Sequence, residues 1–288
     1  MNDSVTKAAE RLFIGQSAAS SALGRLREYF GDDLLVMVGR RMDLTPLAKS
    51  LVEPVRATLL QVRSTIAKRP AFDPQTESRR FVICASDYVT TILLSKVVAK
   101  IASEAPGVML AVRSPPKNLA EALERGNIDL VILPAQYIAP LKLPTAKLFS
   151  DTHTCMVWSQ HASLGHSMTL KKYMEYGHVA VHFGGDRGLD FEDWFVPTAA
   201  RHRRVESSVD NFATLPSLVI GTQRIATLHH KIAQHFALYM PLRLIPAPFK
   251  MPPVVETMAW PRRLEKDDAH AWLRHCMISC AREVDASK

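Results

Sequence analysis

Low cysteine and glycine contents, together with the lack of long hydrophobic runs, exclude several classes of protein. The 288 residues include only four cysteines, too few and too scattered for a secreted scaffold held by disulfides. Twelve glycines stand beside 18 prolines, which favours structured turns over flexible linkers. No apolar run has membrane-spanning length, and no basic-then-apolar leader opens the sequence. These features predict a globular cytoplasmic protein with no membrane partner.

Motifs that would indicate an enzyme are also missing. The sequence has no GxSxG, no Gly-rich phosphate loop, no HExxH and no paired CxxC. Asp87 and His182 have the chemistry of an acid and a base, but nothing in the sequence places a nucleophile or a substrate beside them. The glycines of GGDRG, residues 184–188, lack phosphate-loop spacing. We therefore interpret the chain as a protein without catalytic residues that needs no cofactor.

Two groups of residues have the side chains of metal ligands but not the right arrangement. Cys276 and Cys280 lie four residues apart on a predicted helix beside His275, and nothing nearby completes a tetrahedral set. His229 and His230 are adjacent, so their rings point to opposite sides and form a poor chelate. Packing or surface roles are favoured for all five residues, and no metal is expected.

Positive charge is concentrated near the N-terminus. The formal net charge is +8, and half of this excess lies in the first 69 residues, where 11 Lys and Arg face seven Asp and Glu. A basic balance favours an anionic partner, although many soluble proteins are equally basic.

The N-terminal segment has the pattern of two short helices joined by a tight turn. Ser4 is a potential cap for the first helix, and Gly15 is expected to take a positive φ in the turn. A second helix is predicted from about Gln16 to Tyr29. Its predicted buried stripe consists of Ala19, Ala22, Leu23 and Leu26.

The opposite face of the second helix is short and polar, as DNA recognition requires. In a helix-turn-helix, the N-terminal residues of this helix contact base edges in the major groove. Gln pairs with adenine, Arg pairs with guanine, and Ser bonds to bases or phosphates. An ordinary helical hairpin with a small-residue interface has the same pattern and stays an alternative at this point. The candidate base-reading residues are Gln16, Ser17, Ser20, Ser21 and Arg25.

A wing and a long helix are predicted next. GDDLLVMVGRRMDLTPLA, residues 31–48, is typical of two strands joined by a turn, and Arg40 and Arg41 at the tip are expected to meet phosphate or the minor groove. Thr45 and Pro46 are expected to open an amphipathic helix that continues to about residue 68, with a slight kink at Pro54. Such a helix needs a partner, often its copy in a second subunit. Its apolar face consists of Leu47, Leu51, Val55, Leu59, Val62 and Ile66.

Taken together, these segments resemble the winged helix-turn-helix of LysR-type transcriptional regulators. AAERLFIGQSAASSALGRLREYFGDDLL and GRRMDLTPLA carry the resemblance. YFGDDLL, RFVICASDYVT, GHVAVHFG and GTQRIATL are similar to the NodD and NahR branch, whose members respond to flavonoids, salicylate and other aromatic compounds. The resemblance implies promoter DNA as the target, a small aromatic effector, activation on effector binding, and RNA polymerase as a partner. It also implies homodimers paired through the long helix and homotetramers formed through the sensor domains.

The chain departs from the family pattern at two places. Members usually have a further helix of about twenty residues before the position of Ser4, and Ser17 stands where they often have Pro. Two explanations fit the missing first helix. Either the start codon is assigned too far downstream, or the chain is truncated and its DNA-binding domain is incomplete. A second hypothesis therefore stays open, in which the chain is a ligand-sensing or oligomerising module that does not bind DNA.

The C-terminal two-thirds is predicted to be an α/β sensor. Beyond a Pro-rich and polar linker, residues 70–80, strands and helices alternate, which predicts parallel sheets with helices on both faces. With the resemblance, this implies two α/β subdomains of the periplasmic-binding-protein type, with chain crossings near Trp158 and Val254. The predicted domains are a partial winged helix-turn-helix at 1–46, a linker helix at 47–69 and an effector-binding domain at 78–288. Within the last, subdomain I spans 78–158 and 255–288, and subdomain II spans 159–254.

Ligands in such folds bind in the cleft at the carboxyl ends of the strands. The residues expected there supply aromatic walls and a few hydrogen-bonding groups, which suits a small aromatic ligand with or without a carboxylate. Asn211 and Phe212 are expected to begin a helix whose N-terminus holds an anion. The alternative for each residue is to cap a helix or pack a sheet. The candidates are Ser86, Asp87, Tyr88, Ser114, Pro115, Pro134, His182, Phe183, Asn211, Phe212 and Thr227.

Overall fold

A computed structural model of the chain describes residues 8–10, 13–39, 41–67, 72–182 and 197–286. The chain divides into two compact units, Met1–Ala71 and Phe72–Lys288. Across the described ranges, no helix combines the length and the apolarity needed to cross a membrane.

The N-terminal unit contains the predicted helix, wing and long helix. Its elements are α1 (Gln16–Phe30), β1 (Leu35–Val38), β2 (Arg41–Leu44) and α2 (Pro46–Ala67). β1 and β2 pair antiparallel from Leu35 opposite Leu44 to Val38 opposite Arg41. Gly39 has a φ of 63° in the connecting turn, a conformation that a residue without Cβ adopts at little cost. The predicted wing is therefore confirmed as a two-stranded hairpin.

One carboxylate ties the end of α1 to the start of α2. Asp32 Oδ1 accepts the Leu34 amide at 2.6 Å and the Thr45 hydroxyl at 2.7 Å. The Thr45 oxygen in turn accepts the Ala48 amide at 3.1 Å, which is an N-cap contact in the first turn of α2. The predicted cap at Thr45 is confirmed.

Two details of the first helical pair differ from the prediction. Gly15 has a φ of −66° as the residue before α1, whereas Phe13 takes the positive φ, 56°. The predicted buried stripe is also only partly covered, because Ala19 is buried but Leu26 is 48% exposed. Periodicity identifies which face of a helix is apolar, but it does not show that another element covers that face.

The second unit contains two five-stranded sheets. The strands of the first sheet are β3 (Arg79–Cys84), β4 (Val108–Arg113), β5 (Leu130–Pro134), β6 (Thr145–Asp151) and β12 (Val254–Ala259). The strands of the second sheet are β7 (His153–Trp158), β8 (His178–Val181), β9 (Val205–Val209), β10 (Ile225–His229) and β11 (Leu242–Ile245). The first sheet has the order β4-β3-β5-β12-β6, and the second has the order β11-β7-β10-β8-β9.

Helices pack against both sheets and enclose the core. All residues of β5 and β10 are buried, as their near-continuous apolar sequences predict for central strands. A π-helical turn at Thr90–Leu94 connects two of these helices. The helices of this unit are α3 (Asp87–Val89), α4 (Ser95–Glu104), α5 (Leu119–Glu124), α6 (Ala135–Ile138), α7 (Leu170–Glu175), α8 (Thr198–Arg201), α9 (Leu215–Val219), α10 (His230–Tyr239) and α11 (Asp268–Ala286).

The predicted parallel pairing is confirmed, because β3 pairs parallel with β4 and β5, and β8 pairs parallel with β9 and β10. Each sheet also contains an antiparallel strand. β12 runs antiparallel to both of its neighbours in the first sheet, and β7 does the same in the second. These two strands are the ones that follow a crossing between the sheets, so each enters its new sheet against the direction of the other strands. Alternation of strands and helices predicts parallel pairing, but it does not identify the strands that follow a crossing between sheets.

The two crossings lie side by side. β6 ends at Asp151 in the first sheet and β7 begins at His153 in the second, so the first crossing is at Thr152, earlier than the expected position near Trp158. The second crossing ends at Val254, where it was expected, and Val254 pairs with Asp151. This pair of crossings is the hinge between subdomain I, which contains the first sheet, and subdomain II, which contains the second.

Candidate functional site

The polar face of α1 is open to solvent. All five candidate base-reading residues are exposed, whereas Ala19 on the other face is buried. Arg27, on the same helix, has a structural role, because its Nε donates to the Asp33 carbonyl at 2.7 Å. At the tip of the wing, Arg40 and the side chain of Arg41 lie outside the described residues. The exposed candidates are Gln16, Ser17, Ser20, Ser21 and Arg25.

The residues after β3 are used by the fold itself. Ser86 caps α3, since its hydroxyl accepts the Val89 amide at 3.2 Å. Asp87 reaches across to subdomain II, where its Oδ2 accepts the Ala213 amide at 2.8 Å. Tyr88 is fully buried. Ser86 therefore has the helix-capping role that was the alternative to ligand binding. Asp87 and Tyr88 lie where the subdomains meet.

Other predicted cleft residues are more dispersed. Ser114 is exposed and, with Arg113 and Asn118, lines a groove of about 260 Å³ beside α5, and Pro115 is half-buried. Pro134 is buried as the last residue of β5. His182 follows β8, is exposed, and donates its amide to the Val209 carbonyl at 2.8 Å. Phe183 lies outside the described residues.

Asn211 and Phe212 were predicted to begin a helix. This prediction is wrong, because α9 starts at Leu215. They belong to a turn that Asn211 closes through its own side chain. Asn211 Oδ1 accepts the Thr214 amide at 3.0 Å and the Thr214 hydroxyl at 2.8 Å. This geometry leaves the Ala213 amide for Asp87, so a carboxylate of the chain itself occupies the predicted anion position.

Thr227 lies in the core of subdomain II and not at a strand end. It is in the middle of β10, and its Oγ1 is 2.9 Å from the Tyr173 hydroxyl and 3.6 Å from Cys155 Sγ. Burial raises the pKa of both Tyr173 and Cys155 to about 12. These groups are neutral packing partners.

Five titratable side chains surround the hinge and are called here the hinge cluster: Tyr88, Asp151, His153, His229 and Glu256. Tyr88 donates its hydroxyl to Asp151 Oδ2 at 2.8 Å. The Tyr88 ring lies 4.4 Å from the His229 ring between centroids, and 5.9 Å from the ring of Phe212 in subdomain II. The Phe149 ring is 6.0 Å away on another side. Tyr88 is therefore enclosed by aromatic rings from both subdomains.

Asp151 connects the two subdomains. Besides the Tyr88 hydroxyl, it accepts the Thr152 amide at 2.7 Å and the Lys231 amide, at the start of α10, at 3.0 Å. Burial raises the pKa of its carboxyl, and these donors act in the opposite direction. The pKa of Tyr88 is held well above its usual value by burial and by the charge of Asp151.

In the rest of the hinge cluster, burial shifts each pKa toward the uncharged form. Burial lowers the pKa of His153 to about 4 and that of His229 well below its usual value. Burial, with a contribution from Asp151, raises the pKa of Glu256 to about 8. Glu256 is only 1% exposed, and its Oε2 has no hydrogen-bond partner among the described residues.

Reasoning from sequence missed Asp151, His153 and Glu256. The signal that points to Glu256 is a charged residue within the apolar strand VVETMAW, where burial demands a special environment. Asp151 and His153 flank a crossing, which becomes visible only when the sheets are assigned. His229 packs against the Tyr88 and His153 rings, in agreement with the packing role favoured for it.

Both units match models of one protein family. The description "Bacterial regulatory helix-turn-helix protein, lysR family" matches residues 2–49, and "LysR substrate binding domain" matches residues 74–280. The first match covers the predicted DNA-binding segment and does not favour the hypothesis of a module without a DNA-binding domain.

Known proteins resemble the chain along most of its length. Nodulation protein D 2 of Rhizobium tropici is 38% identical over 95% of this chain and 87% of its own length. Nodulation protein D of Bradyrhizobium sp. (strain ANU 289) is 36% identical over 95% of this chain and 81% of its own. A solved structure of a probable transcriptional regulator from Pseudomonas aeruginosa is 29% identical, covers 98% of this chain and 92% of its own, and has a TM-score of 0.64.

Proposed function

Because the chain belongs to the LysR family of transcriptional regulators, we propose that it is a transcriptional activator controlled by a small aromatic effector. The effector binds where Asp87, Tyr88 and Phe212 meet between the two subdomains. The observation that carries this proposal is the contact of Tyr88 with Phe212, an aromatic pair formed by different subdomains beside the hinge. A ligand that changes this contact changes the angle between the sheets.

The chemistry of this place favours an aromatic ligand. The ring centroids of Phe149 and Phe212 lie 6.0 and 5.9 Å from that of Tyr88, in the edge-to-face arrangement that aromatic rings favour. A ligand shifts a conformational equilibrium by as much as its affinities for the two arrangements differ. We infer that the effector prefers one hinge angle and thereby reorients the DNA-binding ends.

The N-terminal unit supplies DNA binding and assembly. The exposed face of α1 that contains Gln16 and Arg25 enters the major groove of promoter DNA, and the wing with Arg40 and Arg41 contacts phosphate or the minor groove. The apolar face of α2 is exposed in the single chain, with Val55 52% and Leu59 56% accessible, which supports homodimers paired through this helix. Homotetramers formed through the sensor domains, contact with RNA polymerase, and a cytoplasmic location complete the proposal.

Binding of an aromatic effector is tested by calorimetric titration of the full chain with 4-hydroxyacetophenone and with naringenin. Phe212→Leu shortens the aromatic wall while keeping an apolar side chain, and we expect about tenfold weaker binding. Phe30→Leu, in the N-terminal unit, is the matched control and keeps the affinity of the parent chain. Equal affinity in the Phe212→Leu variant and the parent would contradict the proposed site.

A further inference from the structure

Asp87 links the subdomains through an anion contact that the chain makes with itself. It lies after β3 in subdomain I, and its Oδ2 accepts the amide of Ala213 in subdomain II at 2.8 Å. The turn around Ala213 is closed by Asn211 and Thr214, so its conformation does not depend on Asp87. A preformed amide donor in the cleft is therefore already paired with a carboxylate.

The other oxygen of Asp87, Oδ1, differs from Oδ2 in its surroundings. Oδ1 is enclosed by the protein and has no hydrogen-bond partner among the described residues. Burial raises the pKa of this carboxyl, while backbone amides, that of Ala213 first, lower it. An enclosed acceptor without a partner is unfavourable, and a ligand hydroxyl that reached Oδ1 would remove the cost.

The same carboxylate opposes an anionic ligand. A ligand carboxylate that sought the Ala213 amide would have to displace Asp87 or lie beside it, where two like charges repel. A neutral ring that carries a hydroxyl is not repelled by Asp87. The Tyr88 and Phe212 rings contact one another, and they are the sequence neighbours of Asp87 and Ala213. The site therefore combines buried aromatic rings with an acceptor that has no partner among the described residues.

We propose that Asp87 determines the charge class of the effector: it accepts a hydrogen bond from a neutral, hydroxyl-bearing aromatic compound and excludes aromatic carboxylates. This inference rests on the proposed function, because it assigns a role to one residue of the same effector site. The sequence analysis expected an aromatic ligand that either carries or lacks a carboxylate. The inference selects a ligand that lacks one.

The test compares neutral with anionic aromatic probes, of which 4-hydroxyacetophenone and 4-hydroxybenzoate are matched in size. The neutral probes are 4-hydroxyacetophenone and naringenin, and the anionic probes are 4-hydroxybenzoate and salicylate. Dissociation constants are measured by calorimetry on the full chain at pH 7.5. We expect the parent chain to bind 4-hydroxyacetophenone about tenfold more tightly than 4-hydroxybenzoate, since a buried like charge weakens binding by at least this factor.

Asp87→Asn removes the charge and keeps a side-chain oxygen for the Ala213 amide. We expect the preference for the neutral probe to fall about tenfold in this variant. Glu175→Gln is the control, because Glu175 is an exposed carboxylate at the end of α7 in subdomain II, and its preference should equal that of the parent. Melting curves verify folding, and Asp87→Ser, which also retains an acceptor, replaces Asp87→Asn if that variant is unfolded.

The outcomes separate this inference from the proposed function. An unchanged preference in Asp87→Asn, with tight binding retained, overturns the role of Asp87 and leaves the effector site standing. Failure of all four probes to bind the parent chain removes the aromatic effector and the role of Asp87 together. Sequence-specific DNA binding is measured separately and reports on the regulator role alone.

Discussion

The hydroxyl of Tyr88 lies 2.8 Å from Oδ2 of Asp151, and the same carboxylate accepts the amide of Lys231 from the other subdomain. A buried acid at the first crossing is thus held by donors from both sides of the hinge. A rotation of the subdomains must break or replace at least one of these bonds. The hinge cluster therefore connects the two subdomains through hydrogen bonds to one carboxylate.

Tyr88→Phe removes the hydroxyl that bonds to Asp151 and leaves the ring in place. Loss of a hydrogen bond to a buried charged group destabilises a protein by about 1–3 kcal/mol. We expect a decrease of this size in the free energy of unfolding, measured with urea. Tyr239→Phe, at a tyrosine that is 76% exposed, is the control and should leave stability unchanged. Equal stabilities of the two variants would show that the Tyr88 bond contributes nothing.

Glu256→Gln changes how stability depends on pH. Because the pKa of Glu256 is raised to about 8 in the folded chain, the folded carboxyl holds a proton that the unfolded one has lost. Its contribution is therefore complete below the unfolded pKa and is lost as pH rises toward 8, by about 1.4 kcal/mol per unit. We expect the variant to gain stability relative to the parent between pH 6.5 and 8.

The pH range of the Glu256 experiment avoids the buried histidines. His153 and His229 are neutral in the folded chain, so their contributions change only at or below the ordinary histidine pKa. Glu265→Gln, at an exposed acid, is the control. Parallel stability curves for the parent and Glu256→Gln across this range would contradict a protonated Glu256.

Arg25→Ala tests the assignment of a base-reading face. Loss of an arginine that contacts a base weakens specific binding by about 1–3 kcal/mol and relaxes sequence preference. We expect a larger loss on operator DNA than on random DNA, measured by fluorescence anisotropy. Arg40→Ala should instead reduce the salt dependence by about one unit on both DNAs. If Arg25→Ala lowers affinity equally on the two DNAs, Arg25 contacts only the backbone.

Leu59→Asp tests pairing through α2. The side chain is 56% exposed on the apolar face, and a buried unpaired carboxylate in a helix pair is strongly unfavourable. We expect the variant to sediment at a lower mass than the parent. Arg56→Glu, on an exposed polar position of the same helix, is the control. A parent-like mass for Leu59→Asp would exclude this face from the dimer.

The elements of the fold could be predicted from the sequence because hydrophobic periodicity is local. The wing, the Thr45 cap and the buried strands β5 and β10 follow from residues that are neighbours in the chain. The directions of β7 and β12, and the first crossing at Thr152, depend on which sheet a strand joins. Periodicity does not contain that information.

The site was only partly predictable for the same reason. Asp87, Tyr88 and Phe212 could be named because they follow strands or open a turn. The hinge cluster joins Tyr88, Asp151 and Glu256, which are far apart in sequence, and only the crossings bring them together. Thr227 appeared to end a strand, but the strand continues to His229 and buries it.

The central claim is that an aromatic effector controls sequence-specific DNA binding. The most direct measurement is fluorescence anisotropy of the 288-residue chain on DNA from upstream of its own gene, with random DNA as competitor, at two salt concentrations and with and without naringenin. We predict binding that survives competition by random DNA and that changes when naringenin is added. Weak, salt-sensitive binding that is equal on both DNAs and indifferent to naringenin would contradict the account.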